Sequence, residues 1–336
     1  MRKLLKIGLI VLVFLCCVIG GLLLLSGYAM KTPEQLTTDE RDESTPRWSP
    51  DGKTIVYTRY DNVVNKLCLL SIGDESSRVL ETSFERVFFP SWSPDGDALV
   101  FQAYFEGNSE IWIYSLVTGS VRQLTQHESA DFMPSWSPDG MNIAFISRRS
   151  GSSDIWTMPT GGGAAVQITS DAYEEKFPTW SPDGTQIAFS SNRSGNWDIW
   201  VIPVSGGEPQ RITETPSLED IAAWSPDSHY LAYRAMSTGR SHIYVLSLKN
   251  GLPAGSPFQV TGEPCLDWYP AWSPDGKKIV FQSDRSGNED LWLVPFSPPS
   301  FMTSVSIKAK KIINFSQWIL RDKLLRKLQS FFSQVG

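Results

Sequence analysis

The sequence is poor in the residues that build cross-linked or reactive sites. It has four cysteines in 336 residues, and two of them, Cys16 and Cys17, sit inside an apolar run. Only Cys68 and Cys265 remain, which excludes a disulfide framework and any Cys-x-x-Cys metal site, while spacing leaves a single Cys68–Cys265 bridge open. Histidine is scarcer still. His127, His229 and His242 are separated along the chain with no His-Glu-x-x-His spacing, and they read as isolated surface residues rather than as metal ligands. There is no Gly-x-Ser-x-Gly nucleophile elbow and no phosphate-cradling glycine loop, so no catalytic residue, metal or cofactor is expected. Positive charge is lacking where a nucleic acid would need it. Residues 32–300 carry 19 Lys and Arg against 35 Asp and Glu, a net −16 that repels a phosphate backbone and excludes DNA and RNA as partners of this central part.

The bases gather at the two ends. Ile7 to Leu25 is a stretch of 19 residues without a charged or amide side chain, and at roughly 1.5 Å per residue it matches the hydrocarbon core of a bilayer. Arg2, Lys3 and Lys6 precede it and no base follows until Lys31. That bias places residues 1–6 in the cytoplasm, 7–29 in the cell membrane as a single-pass anchor, and the rest on the periplasmic or extracellular side. A cleaved secretory signal is the competing reading, since Gly27-Tyr28-Ala29 offers a small-x-small site, but the apolar run is longer than a usual signal core. At the other end, residues 299–336 form a basic tail. Phe315, Trp318, Ile319, Leu325, Leu328 and Phe332 fall at helical spacing, with Arg321, Lys323, Arg326 and Lys327 among them. This reads as a short basic amphipathic helix suited to a membrane surface or to docking on the acidic central part.

Between the ends the chain repeats itself. Trp-Ser-Pro-Asp-Gly occurs at Trp48, Trp92, Trp136, Trp180 and Trp272, and Trp-Ser-Pro-Asp-Ser at Trp224, giving spacings of 44, 44, 44, 44 and 48 residues. A period in the forties with several strand signals per unit is the mark of a propeller blade. Each unit reads as four strands separated by turn residues, as in Gln186–Ser190, Asp198–Ile202 and the segment ending Arg211-Ile212-Thr213. The expected fold over 30–298 is therefore an all-β, six-bladed propeller of four-stranded blades, following one transmembrane helix and preceding the amphipathic tail. Twenty residues past each blade Trp stand Cys68, Trp112, Trp156, Trp200, Tyr244 and Trp292, a column expected to be buried between neighbouring blades. Gln35-Leu36-Thr37 resembles the end of a fourth strand, and the last unit lacks one, so the N-terminal strand is expected to complete blade six. The alternating segment Met302 to Ile307 is the competitor for that role.

These units resemble the WD40-like β-propeller repeats of the TolB family, over residues 33 to 297. The resemblance implies an exported, non-enzymatic binding propeller with an envelope protein or peptide as partner. Similar repeats also occur in propellers of prolyl-oligopeptidase-like peptidases, and this chain shows no separate N-terminal α/β domain. Five residues before each blade Trp stand Glu43, Val87, Asp131, Glu175, Glu219 and Asp267, five of six acidic, at the entry to the innermost strand. They are expected to ring one mouth of the central channel, either as a negative funnel for a basic peptide or cation, or as partners of Arg149, Arg193 and Arg285. The next residues vary from blade to blade, and Phe88, Phe132 and Trp268 are the candidate anchors for a ligand. A monomeric interaction platform is the expected function. A propeller-fold hydrolase or lyase, or a carbohydrate-binding module using the mouth aromatics, are the alternatives.

Overall fold

Each repeat folds as one antiparallel sheet of consecutive strands, and six such sheets make the ring. The computed structural model describes residues 30–298 except 62 and 263. The expected membrane segment, the tail residues Trp318, Arg321, Lys323, Arg326 and Lys327, and Met302 to Ile307 lie outside the described residues. Among the described residues there is no helix long and apolar enough to cross a membrane.

Blade three shows the plan: Asp131–Trp136, Asn142–Ser147, Asp154–Pro159 and Val166–Gln167, counted outward from the axis. Its second strand presents Ile143, Ala144, Phe145 and Ile146, all fully buried. A blade has a neighbour on both faces, so its middle strands bury both sets of side chains. Six apolar clusters result, one at every junction; the sixth joins Ile55, Tyr57, Cys68 and Leu70 of blade one to Val280, Leu291 and Leu293 of blade six. Cys68 is fully buried there, while Trp112, Trp156, Trp200, Tyr244 and Trp292 are half-buried against their junctions.

The Ser-Pro-Asp-Gly turns are wired alike. The Ser49 hydroxyl donates to Asp51 at 2.6 Å and accepts the Thr54 N–H at 3.0 Å, and the same pair of bonds recurs at Ser93, Ser137, Ser181, Ser225 and Ser273. Gly52, Gly96, Gly140, Gly184 and Gly276 take φ between 67° and 80°, the left-handed region that glycine enters at least cost. The blade Trp side chains then tie blades together. Trp92, Trp180 and Trp272 donate their indole N–H to the carbonyls of Arg47, Ser135 and Ala223 in the preceding blade, each at 3.1 Å.

The ring closes through the N-terminal strand, as its sequence indicated. Glu34–Gln35 pairs antiparallel with Asp290–Pro295, with Gln35 opposite Trp292. Gln35 donates to Asp290 at 2.9 Å, and Thr37 accepts the Leu291 N–H at 2.9 Å. Blade five departs from the four-stranded plan. Its third strand, Arg240–Lys249, pairs with both Leu252–Pro253 and Phe258–Gln259, which uses the four extra residues of the 48-residue spacing.

Candidate functional site: the channel and its mouth

The acids of the repeat stand where each innermost strand begins, and they are buried. Glu43 and Glu219 are 1 % exposed, and Asp131, Glu175 and Asp267 are fully enclosed. They ring the mouth without facing it. Arg149 donates to Asp131 at 2.6 Å, Arg193 to Glu175 at 2.5 Å and Arg285 to Asp267 at 2.7 Å. Each guanidinium lies 5.0 Å over the ring of its own blade's column residue, Trp156, Trp200 or Trp292. An acid, an arginine and a tryptophan thus form one repeated brace, because a carboxylate taken from water needs a charged or hydrogen-bonding partner. Thr169 of the preceding blade also donates to Glu175, at 2.5 Å.

Three blades vary the brace. In blade two both charges are gone, and Val87 and Phe105 stand in their places while Phe84 packs on Phe105 and Trp112 at 5.8 and 4.6 Å. In blades one and five the acid keeps its place and the arginine position holds Asp61 and Ser237. Burial pushes the Glu43 carboxyl up to about 7 against the hydrogen bond from Thr37, and burial also raises Glu219. Beside Glu219 the longer hairpin of blade five borders an open pocket of about 440 Å³ lined by Tyr233, Arg240, His242, Tyr244 and Gln259.

The residues that follow the acids differ in exposure: Ser44 and Asp220 are buried. Phe88, Phe132, Lys176 and Trp268 are half-buried. The Arg148 guanidinium lies 5.5 Å over the Phe132 ring, and the Lys176 ammonium lies 4.1 Å over Trp197. Asp220 is held by two bonds from Arg234, at 2.6 and 2.5 Å. Next to the buried acids the partly exposed side chains are thus aromatic at Phe88, Phe132 and Trp268 and basic at Arg148 and Lys176.

One position further on lies a feature that the repeat pattern did not reveal. Thr45, Phe89, Met133, Phe177, Ile221 and Tyr269 all have φ between 50° and 55°, and each innermost strand shifts register there. A bulge of this kind re-aims one side chain, here toward the axis, at a cost of roughly 1–2 kcal/mol for each non-glycine residue. Phe89, Phe177 and Tyr269 come from alternate blades and meet edge to face, with centroids 6.0, 6.0 and 6.1 Å apart. Residues of three non-adjacent blades can touch only on the axis, so this triangle plugs the channel. Neighbouring blades take the amides freed by the bulges: Gln102 accepts the Met133 N–H at 3.3 Å and Ser190 the Ile221 N–H at 3.2 Å. The sequence does not single these positions out, because a large side chain followed by proline stands two residues after the acid at Met133-Pro134 as well as at Phe89, Phe177 and Tyr269. Bounded by the plug residues Phe89 and Phe177 is a cavity of about 40 Å³, lined also by Arg47, Ser91, Ser135 and Thr179. Burial pulls Arg47 down to about 10, and its guanidinium donates to the Pro46 carbonyl at 2.8 Å.

The histidines do not converge. His127 accepts the Ser129 N–H at 2.9 Å, and His229 stands 3.3 Å from Asp227 on an exposed turn. His242 is not the isolated surface residue expected: its side chain is 14 % exposed and its Nδ1 lies 3.7 Å from Asp267. The repeat pattern could not show this, because the two residues belong to different blades.

Residues 25–176 and 221–325 match the family model of the TolB beta propeller domain. Residues 150–266 also match the Tricorn protease N-terminal beta propeller domain. No curated protein sequence matches the chain. Among solved structures, the chain is similar to TolB from Acinetobacter baumannii, with 26% identity and a TM-score of 0.63 over 72% of this chain and 60% of that one. A protein of Agrobacterium tumefaciens assigned as TolB shares 24% identity at a TM-score of 0.62, over 78% of this chain and 93% of that one. An oligogalacturonate lyase in complex with manganese shares the fold at 14% identity and a TM-score of 0.56, over 80% and 94% of the two chains.

Proposed function

The chain belongs to the TolB beta propeller domain family, and from that premise we propose that it is a non-enzymatic interaction propeller of the cell envelope that binds a protein or peptide at the channel mouth. The observation that carries the reading is the division of labour around the mouth. Positions that repeat in most blades are consumed by the fold: Glu43, Asp131, Glu175, Glu219 and Asp267 are buried, and three of them are paired to arginine. Of the positions that differ between blades, Phe88, Phe132, Lys176 and Trp268 are left half-buried, while Ser44 and Asp220 are buried. A plugged channel turns this opening into a shallow dish rather than a pore. Such a dish suits an extended peptide or a loop that lays apolar side chains on the aromatics and acidic ones beside Arg148 and Lys176. The segment 7–29 would hold the dish at the membrane, and the basic tail with Trp318, Arg321, Lys323, Arg326 and Lys327 would add contact with anionic lipid.

The test uses full-length protein as bait against envelope proteins, beside the double variant Phe132→Ala/Trp268→Ala. A partner captured by the parent and lost by the variant is the expected result. A partner retained at full strength by the variant removes the mouth as its site, and selective capture of glycan fragments would replace the protein partner by a carbohydrate.

A further inference from the structure

The junction of blades five and six carries donors that the other junctions do not. Eighteen residues past the blade Trp, four of the repeats place an acid, Glu110, Asp154, Asp198 or Asp290, and blade one places Lys66. Blade five alone places a histidine there, His242. Two residues before the mouth acid the chain has Arg41, Glu85, Ser129, Tyr173 and Ser217, and in blade six Cys265. These two departures face each other across one junction and converge on a third group, Asp267. The His242, Cys265 and Asp267 donor atoms all lie within 4.8 Å of one another.

We propose that His242, Cys265 and Asp267 form a divalent-metal site of the zinc type. Two unsatisfied atoms point to it. Asp267 Oδ2 is fully buried and makes no hydrogen bond, and His242 Nδ1, 3.7 Å away, makes none either. The Cys265 sulfur lies 3.5 Å from the other carboxylate oxygen. Zinc bonds of roughly 2.0–2.3 Å in tetrahedral geometry set neighbouring donors roughly 3.3–3.7 Å apart, so the observed separations need only small side-chain adjustments. An imidazole, a thiolate and a carboxylate make a borderline-soft set that favours zinc over calcium or magnesium. Two anionic ligands balance a doubly charged ion, while Arg285 donates to Asp267 Oδ1 at 2.7 Å and lies 3.5 Å from the Cys265 sulfur, holding both groups in place. His242 also lines the open pocket of blade five, of about 440 Å³, which gives an ion access to the histidine side of the site. The site shares Asp267 with the ring of acids but does not rest on partner binding at the mouth.

The experiment titrates chelator-treated full-length protein with cobalt(II), whose thiolate complexes show a sulfur-to-metal charge-transfer band. The expected result is saturation at one ion per chain, with a band that appears in the parent and in Cys68→Ser, vanishes in Cys265→Ser, and is displaced by zinc. His242→Gln, which leaves the sulfur in place, should weaken cobalt binding by at least about tenfold. No saturable band in the parent, a band retained by Cys265→Ser, or unchanged affinity in His242→Gln each overturns the proposal and leaves an ordinary histidine–aspartate contact.

Discussion

Glu43→Gln tests whether the buried acids cost the fold stability or support it. Glu43 is 1 % exposed, and burial raises its carboxyl from 4.5 to about 7. A group whose pKa is higher in the folded state holds its proton more tightly there. Its contribution is therefore fully present below about pH 4.5 and is lost as pH rises through about 7. At about 1.36 kcal/mol per pH unit, the interval between those values corresponds to roughly 3 kcal/mol. Glutamine keeps the shape and the hydrogen bonds of a protonated glutamate without its titration. Urea unfolding of parent and variant, followed by tryptophan fluorescence, should give equal stabilities at pH 4.5. The variant should then gain steadily and lead by about 2–3 kcal/mol at pH 8, since both chains share every other titrating group. A gap that does not change with pH, or a variant less stable than the parent at pH 8, would refute the reasoning and mean that Glu43 is held as a carboxylate.

Two further perturbations address the turns and the closure of the ring. Ser228 occupies at φ 59° the corner that glycine fills in the other five repeats, so Ser228→Gly should raise stability by about 0.5–1 kcal/mol in urea, and a loss would contradict the turn argument. Deleting residues 32–38 removes three hydrogen bonds to Asp290 and Leu291 together with the packing of Leu36, about 5 kcal/mol in all. For a domain of this size the midpoint of thermal unfolding should fall by roughly 10 °C, and an unchanged midpoint would mean that the strand does not hold the ring.

The parts of the fold legible in the sequence were those written once per blade. The Trp spacing, the Ser-Pro-Asp-Gly corner and the Thr37 position carried the blade number and the closing strand, because each is a local pattern repeated often enough to be read against itself. The acids were equally visible, and pairing with arginine was one of the two roles expected of them, but which role holds was not. It depends on Arg149, Arg193 and Arg285, each 18 residues downstream of its acid and in reach only because two strands of one blade lie side by side. The Phe89–Phe177–Tyr269 plug was illegible for a different reason. Its residues sit in ordinary strand sequence, and only a backbone bulge turns them inward. The His242–Cys265–Asp267 group arises from single departures in two different repeats, so a comparison of repeat with repeat shows each as an exception and neither as a partner.

The closing strand sets an order of events. Gln35 and Asp290 are separated by 255 residues, and they meet in one blade. The strand synthesised first must wait for the strand synthesised last, and until then the chain is an open horseshoe with a bare sheet edge at either end. Bringing those ends together costs ~5 kcal/mol of chain entropy if the intervening loop were flexible, and much less once five blades have stacked and hold the gap to the width of one strand. Closure is thus expected to follow the stacking of the blades. It marks the moment at which this chain stops being able to pair with its neighbours, so that crowding while the chain folds, rather than the stability of the finished ring, sets the risk of edge-to-edge aggregation.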